Sequence, residues 1–440
     1  MSPASRLWAR AAGTVRHDLD HVPRWAALDG LRGVAIVAVV AYHSLGLLLP
    51  GPGGWARRGW PWWWMGTGRL AVDVLFVLSG FLVVRSWHAA RSRAAGPGAA
   101  ARDFFGRRAR RILPVYAVSL VFAFVVLRLR VPGATFRLHE IATFATLQQH
   151  LVRGLPGSLN LPTWSLTTEV HFYLLVPLLA VVMARVRSRF VVAGCIVLTL
   201  AYLHGTWRGD LPGSTILGRL DQFAVGAAAA AVIAATSRRA RGPAPLSQRI
   251  TAPRVFGALA VVALVVLGFA EGLVLARRPD HLAAAAVHPL TGLVAAGLVL
   301  HLCWGRAPAW LSSRPARFLG MISYSAYLLH YPIVRWGLDR EGPLGWGLTR
   351  TGPVGGTLGA VAVVAVLGAT IVAVSVACYL LVERPFIRTR FAPAGGGDRP
   401  SAAGGREDPS AQPPGPGCGS TASDDRSPAA SGARRLTSVS

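Results

Sequence analysis

Residues 28–43 read LDGLRGVAIVAVVAYH, and this stretch decides the fold. It places Arg32 and His43 at the two ends of ten mostly apolar residues. On a helix, a separation of eleven positions makes about three turns, so the two side chains share one face and lie roughly 16 Å apart along the axis. An ionisable side chain inside an apolar stretch of membrane length is costly and indicates a functional site. The stretch therefore predicts a membrane-spanning helix that carries two candidate site residues.

The rest of the chain has the composition of a membrane protein. Of its 440 residues, 52% are hydrophobic and only 15% are charged. Apolar blocks of about 18 or more residues recur, which is the length that crosses a hydrocarbon core of about 30 Å. We predict an all-α, polytopic membrane protein with about ten transmembrane helices. The predicted spans are 28–49, 70–87, 111–129, 164–184, 190–205, 215–236, 254–275, 283–304, 317–337 and 353–382.

The distribution of charge predicts the orientation in the membrane. The net charge is +27, and every Lys or Arg position is an arginine. Such a charge could indicate binding either to nucleic acid or to anionic lipid. With the N-terminus inside, the inner loops and flanks up to residue 390 hold 26 arginines and the outer ones hold 14. This bias predicts cytoplasmic termini and a multi-pass protein of the inner (plasma) membrane. The sequence shows no soluble basic surface with elements that could read the grooves of a nucleic acid, so we predict no nucleic-acid partner.

The chain divides into three predicted parts. Residues 1–25 form a polar N-terminal segment on the cytoplasmic side, and residues 26–390 form the membrane domain. Residues 391–440 are rich in Gly, Pro, Ser and Ala, and we predict that this cytoplasmic tail is disordered because it cannot bury enough apolar surface. The four cysteines and the histidines are scattered, so neither a disulfide framework nor a metal site is predicted.

The fourth predicted span runs opposite to the first and carries a carboxylate at the depth of His43. Glu169 lies about 8 Å and His43 about 9 Å below the outer surface if both spans are helical. A carboxylate beside an imidazole orients the ring and stabilises the imidazolium, which makes the histidine a better general base. We favour this pair. The alternative is that Glu169 and His43 are separate packing features, each satisfied by a hydroxyl.

A second charged cluster precedes the third predicted span. Arg108 and Arg111 are three positions apart and face the same way on a helix. Guanidinium groups suit phosphate oxygens, so with Arg32 they would form a phosphate-binding entrance on the inner face. The alternative is a membrane anchor that follows the positive-inside rule. A ligand with a phosphate-rich head and a long, thin reactive arm fits a site with charges at its base and a histidine deep inside, and acyl-coenzyme A (acyl-CoA) has that shape.

Several stretches, taken together and in order, resemble the acyltransferase-3 family of integral membrane O-acyltransferases. The resemblance covers about residues 26–390. The stretches are the Arg32-x10-His43 pattern, DVLFVLSGFL at 73–82, the Arg108-x-x-Arg111 pair, Trp164-Ser165-Leu166 with Glu169 and Phe172-Tyr173, SYSAYLLHYP at 323–332, and ERP at 383–385.

The resemblance implies an enzyme that moves an acyl group, in the first place acetyl, from cytoplasmic acyl-CoA to a hydroxyl. The acceptor in this family is usually a cell-envelope carbohydrate or glycolipid, and sometimes an intracellular molecule such as a macrolide antibiotic. By motif match, His43 would be the catalytic base, Glu169 its acidic partner, and Arg32, Arg108 and Arg111 the contacts to coenzyme A. Acyl-CoA would be the donor substrate, with no permanently bound cofactor.

Three further residues are candidates for substrate contact. Tyr173 lies in a matched motif. Asp73 opens the second predicted span at the outer surface, where it is either a helix N-terminal charge or an acceptor contact. His330 lies in the outer half of its span, just before Pro332, and is either a hydrogen-bonded structural residue or part of the site.

A hypothesis of another class also fits the intramembrane polar residues. A non-catalytic transporter would use the same groups for translocation. A transporter built from repeats should carry interrupted hydrophobic segments at matching positions in two halves, and no such match occurs in this sequence. We therefore favour the enzyme.

Overall fold

The computed structural model describes most of the predicted membrane domain and part of the N-terminal segment. Within the described residues the regular structure is helical and contains no strand. The predicted disordered tail, 391–440, lies outside them. The described residues are 3–20, 25–48, 60–130, 137–149, 159–186, 190–191, 193–199, 215–239, 255–277, 281–304, 307–338 and 356–388.

The helices follow the apolar blocks of the sequence, and most of their ends differ from the predicted ones by a few residues. The exception is the helix of the third predicted span, which begins at Pro97, 14 residues before the predicted start at 111. The α-helices are α1 Pro3–Asp20, α2 Ala26–Leu48, α3 Gly66–Arg93, α4 Pro97–Arg130, α5 Leu138–Ala145, α6 Thr163–Arg185, α7 Leu220–Arg239, α8 Val255–Arg277, α9 His281–Cys303, α10 Arg314–Leu338, α11 Gly356–Cys378 and α12 Arg384–Arg388. Short 3₁₀ turns occur at Trp60–Met65, Leu217–Arg219 and Ala309–Ser312, and a π turn at Tyr379–Glu383 joins α11 to α12.

Eight segments within the described residues are long and apolar enough to cross a membrane. They confirm the all-α, multi-pass membrane architecture, whereas the count of ten and the orientation stay predictions. The predicted span 190–205 extends beyond the described residues. Helix α10, predicted as span 317–337, is not among the eight. The eight segments are Ala26–Leu47, Trp63–Arg93, Pro97–Leu129, Thr163–Val182, Leu217–Ser237, Phe256–Val274, Ala286–Cys303 and Ala362–Arg388.

Helix α10 is more polar than its neighbours, and it is surrounded by them. It packs against α2, α4 and α11, and its Ser325 and His330 side chains are fully buried. Ser325 donates a hydrogen bond of 2.8 Å to Glu383 in the π turn. Polar side chains within a membrane bundle face the interior, where they find polar partners. The polarity of α10 thus marks it as an interior helix.

Small residues bring α2 and α10 into backbone contact. A Cβ atom on Gly33 would lie only 2.7 Å from the backbone oxygen of Ala316, and one on Gly320 would collide with the backbone of α2. Glycine at such positions lets two membrane helices approach more closely than any larger residue allows. The helix that carries Arg32 and His43 is thereby held directly against α10.

The end of α1 is tied to the last helical segment through one carboxylate. Asp18 accepts hydrogen bonds from Arg384 Nε at 2.6 Å and from the Tyr379 hydroxyl at 3.1 Å, and it also pairs with Arg388. Partial burial acts to raise the pKa of Asp18, but the hydrogen bond from Arg384 and the other donors outweigh it, so the pKa is lowered. The charged form of Asp18 therefore stabilises the docked α1.

We expect Asp18→Asn to destabilise the protein at neutral pH, with a fall in Tm of about 2–4 °C if the docked carboxylate contributes roughly 1 kcal/mol. A lowered pKa in the folded state means that the contribution is complete above about pH 4, the usual pKa of Asp, and is lost as the pH falls through the lowered value. Thermal unfolding of the detergent-solubilised protein measures this. The matched control is Asp20→Asn. Asp20 forms an exposed ion pair with Arg314, so its loss should change the Tm little. Equal shifts in the two variants would contradict the prediction.

Candidate active site

A small cavity lies between α2, α3, α4, α6 and α10. Its volume is about 90 Å³. The polar groups in its lining include the guanidinium groups of Arg32, Arg108 and Arg111, the carboxylate of Glu169 and the hydroxyl-bearing ring of Tyr173. Five of the predicted site residues therefore meet in one place, although they come from three separate helices.

The arginines of α4 reach this cavity because they occupy one face of the helix. Arg108 and Arg111 are three residues apart and both line the cavity, as their spacing predicts. The Arg108 guanidinium carbon lies 5.2 Å from the centre of the Tyr173 ring and 5.9 Å from that of Phe104, so two aromatic rings hold it. Three guanidinium groups and one carboxylate give this part of the lining an excess of positive charge, which favours an anionic ligand.

Arg111 lines two further cavities besides the small one. It also lines a cavity of about 190 Å³ next to α12 and one of about 240 Å³ next to the end of α1. The 90 Å³ space accommodates several waters or a group of acetyl size, since one water needs about 10–15 Å³. Arg108 also lines the smaller of these outer cavities and Arg32 the larger, so the same arginines border the small cavity and its neighbours.

The carboxylate of Glu169 is satisfied by hydroxyl groups. The Ser79 hydroxyl and the Tyr173 hydroxyl each donate a hydrogen bond of 2.5 Å to its Oε1 atom. The predicted contact with His43 is absent from the hydrogen bonds and ion pairs of the described residues. The prediction used depth alone, and two residues at one depth can face different neighbours. The alternative interpretation, in which a hydroxyl satisfies each of the two residues, matches the structure for Glu169 but not for His43.

His43 is paired with another histidine instead. Its Nδ1 atom lies 3.1 Å from Nε2 of His330, and the two ring centres are 5.0 Å apart. His330 is fully buried, and its Nδ1 atom lies 2.7 Å from the backbone oxygen of Tyr327. The ring of Tyr331 packs edge-on against His43 at 5.4 Å. We call His43 and His330 the histidine pair. It depends on the close contact of α2 with α10.

The histidine pair does not belong to the lining of the small cavity. Ile36 lines the cavity, and seven residues of α2, about 10 Å, separate it from His43. Between these levels the hydroxyls of Ser165 and Tyr327 are hydrogen-bonded, and both residues line the cavity. The Tyr327 ring centre is also 5.9 Å from that of His330. The hydroxyl contact thus lies between the arginine-lined cavity and the histidine pair.

Asp73 lies in a buried ion network rather than at a helix start. Helix α3 begins at Gly66, so Asp73 is in its third turn, and it is 1% exposed. Its two oxygens lie 3.0 Å from Arg219 Nη1 and 2.7 Å from His288 Nδ1. The helix N-terminal interpretation is therefore wrong, because the helix starts earlier than predicted. The acceptor contact stays a prediction.

Some residues of these clusters gave little signal in the sequence. Arg219 looks like a local polar cap of the following helix, whereas the structure pairs it with a helix 146 residues away in sequence. His288 offers only the general signal of a titratable side chain in an apolar stretch. Ser79 and Tyr327 lie within the family-like stretches 73–82 and 323–332, but nothing in the sequence indicates their hydrogen-bond partners. Among the described residues, no group of three or more His, Cys, Asp or Glu could hold a metal ion.

Comparison with known proteins assigns the chain to a family. Residues 25–380 match the family model of the acyltransferase domain, Acyl_transf_3. The chain belongs to the acyltransferase-3 family. This membership confirms the resemblance in the sequence, and the matched range contains the arginine-lined cavity and the histidine pair.

Curated members of the acyltransferase-3 family align with most of this chain. One is the "Putative peptidoglycan O-acetyltransferase YrhL" of Bacillus subtilis, 28% identical over an alignment 356 residues long that covers 72% of this chain and 50% of YrhL. Another is the "Putative membrane-bound transacylase BcsY" of Komagataeibacter xylinus, 30% identical over an alignment 319 residues long that covers 69% of this chain and 72% of BcsY.

A third relative is the "Peptidoglycan O-acetyltransferase OatA" of Listeria monocytogenes, 27% identical over an alignment 216 residues long that covers 44% of this chain and 30% of OatA. The chain thus spans about half of the length of YrhL and less than a third of that of OatA. No solved structure matches the acyltransferase-3 chain.

Proposed function

We propose that this protein is an O-acyltransferase of the inner (plasma) membrane that moves an acetyl group from cytoplasmic acyl-CoA to a hydroxyl of a cell-envelope carbohydrate or glycolipid. The arginine-lined cavity carries the proposal, because one helix, α2, joins it to the histidine pair farther along the same axis. The names of YrhL and OatA support a glycan acceptor.

In the proposed reaction the donor enters at the arginine end. Guanidinium groups of Arg108 and Arg111 bind its phosphate oxygens, since planar guanidinium forks match phosphate geometry. The arm of the donor then extends along α2 toward His43, past the hydroxyl contact of Ser165 and Tyr327. Both residues line the cavity and Tyr327 adjoins His330, so the arm passes this contact on its way to His43.

His43 acts as general base in this scheme. The acceptor hydroxyl gives its proton to His43 while its oxygen attacks the thioester carbonyl carbon, and the carbon–sulfur bond then breaks. The proton passes from His43 to the departing thiolate of coenzyme A. Atoms and charge balance, with an ester and free coenzyme A as products. Glu169 lies among the three arginines and balances part of their charge, a role that differs from the acidic partner expected from the sequence.

The test is transfer by the purified protein in nanodiscs. Acetyl-CoA labelled in the acetyl group is supplied with soluble peptidoglycan glycan fragments, and both thiol release and base-labile label on the glycan are measured. We expect both from the wild-type chain. A transporter would release no thiol. A third outcome is thiol release with no label on the glycan but with label on another acceptor. It would overturn the proposal of an envelope acceptor and leave the proposal of acyl transfer intact.

The donor end is tested by Arg111→Ala. We expect the KM for acetyl-CoA to rise about 10- to 100-fold, because a hydrogen bond to a charged group contributes about 1.5–3 kcal/mol. The matched control is Arg102→Ala, an exposed arginine of the same helix that lines none of the three cavities. Steady-state rates at varied acetyl-CoA measure the change. An unchanged KM in Arg111→Ala would remove this residue from donor binding.

A further inference from the structure

We propose that His330 is a positioning residue that fixes the tautomer of His43, so that Nε2 of His43 carries the lone pair that takes the acceptor proton. The inference rests on the proposed function, since it needs His43 as the base. It assigns to a second histidine the role that a carboxylate has in other catalytic arrangements.

The surroundings of His330 determine which of its nitrogens carries hydrogen. Its Nδ1 atom lies 2.7 Å from the backbone oxygen of Tyr327 and 3.2 Å from that of Ala326. A carbonyl oxygen only accepts hydrogen bonds, so Nδ1 of His330 must be the donor. In a neutral imidazole the other nitrogen is then an acceptor. Nε2 of His330 therefore presents a lone pair to His43.

This lone pair, together with one backbone carbonyl, determines the tautomer of His43. Nδ1 of His43 lies 3.1 Å from Nε2 of His330 and 3.1 Å from the backbone oxygen of Val39. Both neighbours are acceptors, so Nδ1 of His43 carries the hydrogen and Nε2 is left unprotonated. The Val39 oxygen is also the intrahelical acceptor for the backbone N–H of His43, four residues on. His330 is thus the neighbour whose lone pair is directed at His43 from outside its helix.

The same contact stabilises His43 after it has taken a proton. The imidazolium then donates from Nδ1 to the neutral ring of His330, and a hydrogen bond from an ionised donor is roughly twice as strong as a neutral one. His330 cannot itself become the base for the acceptor, because its Nδ1 faces two carbonyl oxygens and its Nε2 faces His43. No proton needs to leave through it, which makes it a positioning residue.

The direct test is ¹⁵N NMR of the histidine rings in the solubilised full chain. The His43 signals are assigned by their absence from His43→Gln. We expect Nδ1 of His43 to be protonated and Nε2 to be unprotonated in the wild type above the titration range of the ring. Protonation at Nε2 in the wild type would overturn the inference without any variant at position 330.

Kinetics give the second test. We expect His330→Leu, which removes the acceptor, to lower kcat on the order of 100-fold, within the range for a compromised general base, with the KM for acetyl-CoA within about twofold of wild type. His330→Gln keeps an amide oxygen that can accept from His43, and we expect it to recover part of kcat. The matched control is His301→Leu, which removes a buried histidine outside the pair.

The outcomes separate this inference from the proposed function. Wild-type kcat in His330→Leu, together with an inactive His43→Ala, would overturn the role of His330 and leave the acyltransferase intact. No transfer by the wild type with any acceptor would overturn the function instead. A purely structural role of His330 predicts a loss of monodisperse protein, without rescue by His330→Gln and without a change in the His43 tautomer of the protein that remains folded.

Discussion

We expect His43→Ala to lower the rate of acetyl transfer by about 10²- to 10⁴-fold, the contribution of a positioned general base. The half-buried His43 ring packs against His330 and Tyr331, and among the described residues its removal leaves only the His330 ring, on the neighbouring helix α10, as a basic group at that level. The arginine-lined cavity is about 10 Å away along the helix, so the KM for acetyl-CoA should change little. A large effect on kcat with a small one on KM is the expected signature.

The measurement compares thiol release and labelled glycan for the variant and the wild type at saturating acetyl-CoA. Circular dichroism and size-exclusion profiles establish that the variant is folded. The matched control is His17→Ala, an exposed histidine of α1, which should retain the wild-type rate. Retained transfer in His43→Ala would remove this residue from the chemistry and direct attention to Glu169 in the cavity.

The features that could be predicted from the sequence are those that one helix determines by itself. Arg108 and Arg111 face one cavity because three positions make nearly one helical turn. The helix over residues 28–43 follows equally directly from its apolar run and its length. In each case the relevant geometry is local, and the membrane requires helices because no other open structure satisfies the backbone in lipid.

The features that could not be predicted depend on which helices are neighbours. Glu169 and His43 are predicted to lie at the same depth in the membrane. The lateral arrangement of the helices, however, places Glu169 in contact with Ser79 and His43 in contact with His330. That arrangement depends on the tight contact at Gly33, where backbone meets backbone. A single sequence shows a glycine at this position but does not show which helix packs against it. Pair contacts between distant segments therefore needed the structure.

The buried ion network shows the same limit most clearly, because four segments supply its members. Asp73 of α3 pairs with Arg219 from the turn before α7 and with His288 of α9. Glu271 of α8 lies 3.9 Å from Nε2 of His288 and 2.9 Å from Arg69. Asp73, Glu271 and Arg219 are each less than 10% exposed. Such a network holds these segments in one arrangement because each charge needs its partner.

We expect Arg219→Leu to destabilise the protein by about 3–5 kcal/mol, since it leaves the buried carboxylate of Asp73 with His288 alone. Asp73→Asn should cost a similar amount by leaving Arg219 unpaired. The free energy of unfolding in mixed micelles measures both. The Trp164 ring, 5.5 Å from the Arg219 guanidinium carbon, also loses a contact, so part of the cost in Arg219→Leu is independent of Asp73.

The double variant separates the two contributions. If the charge pair dominates, Asp73→Asn combined with Arg219→Leu costs clearly less than the sum of the single variants, because neither charge is left alone. The matched control pair is Asp103→Asn with Arg107→Leu, a more exposed ion pair within α4, for which we expect changes below about 1 kcal/mol. Additive single effects at Asp73 and Arg219 would show that packing around Trp164, rather than the buried charge pair, holds α3 against the start of α7.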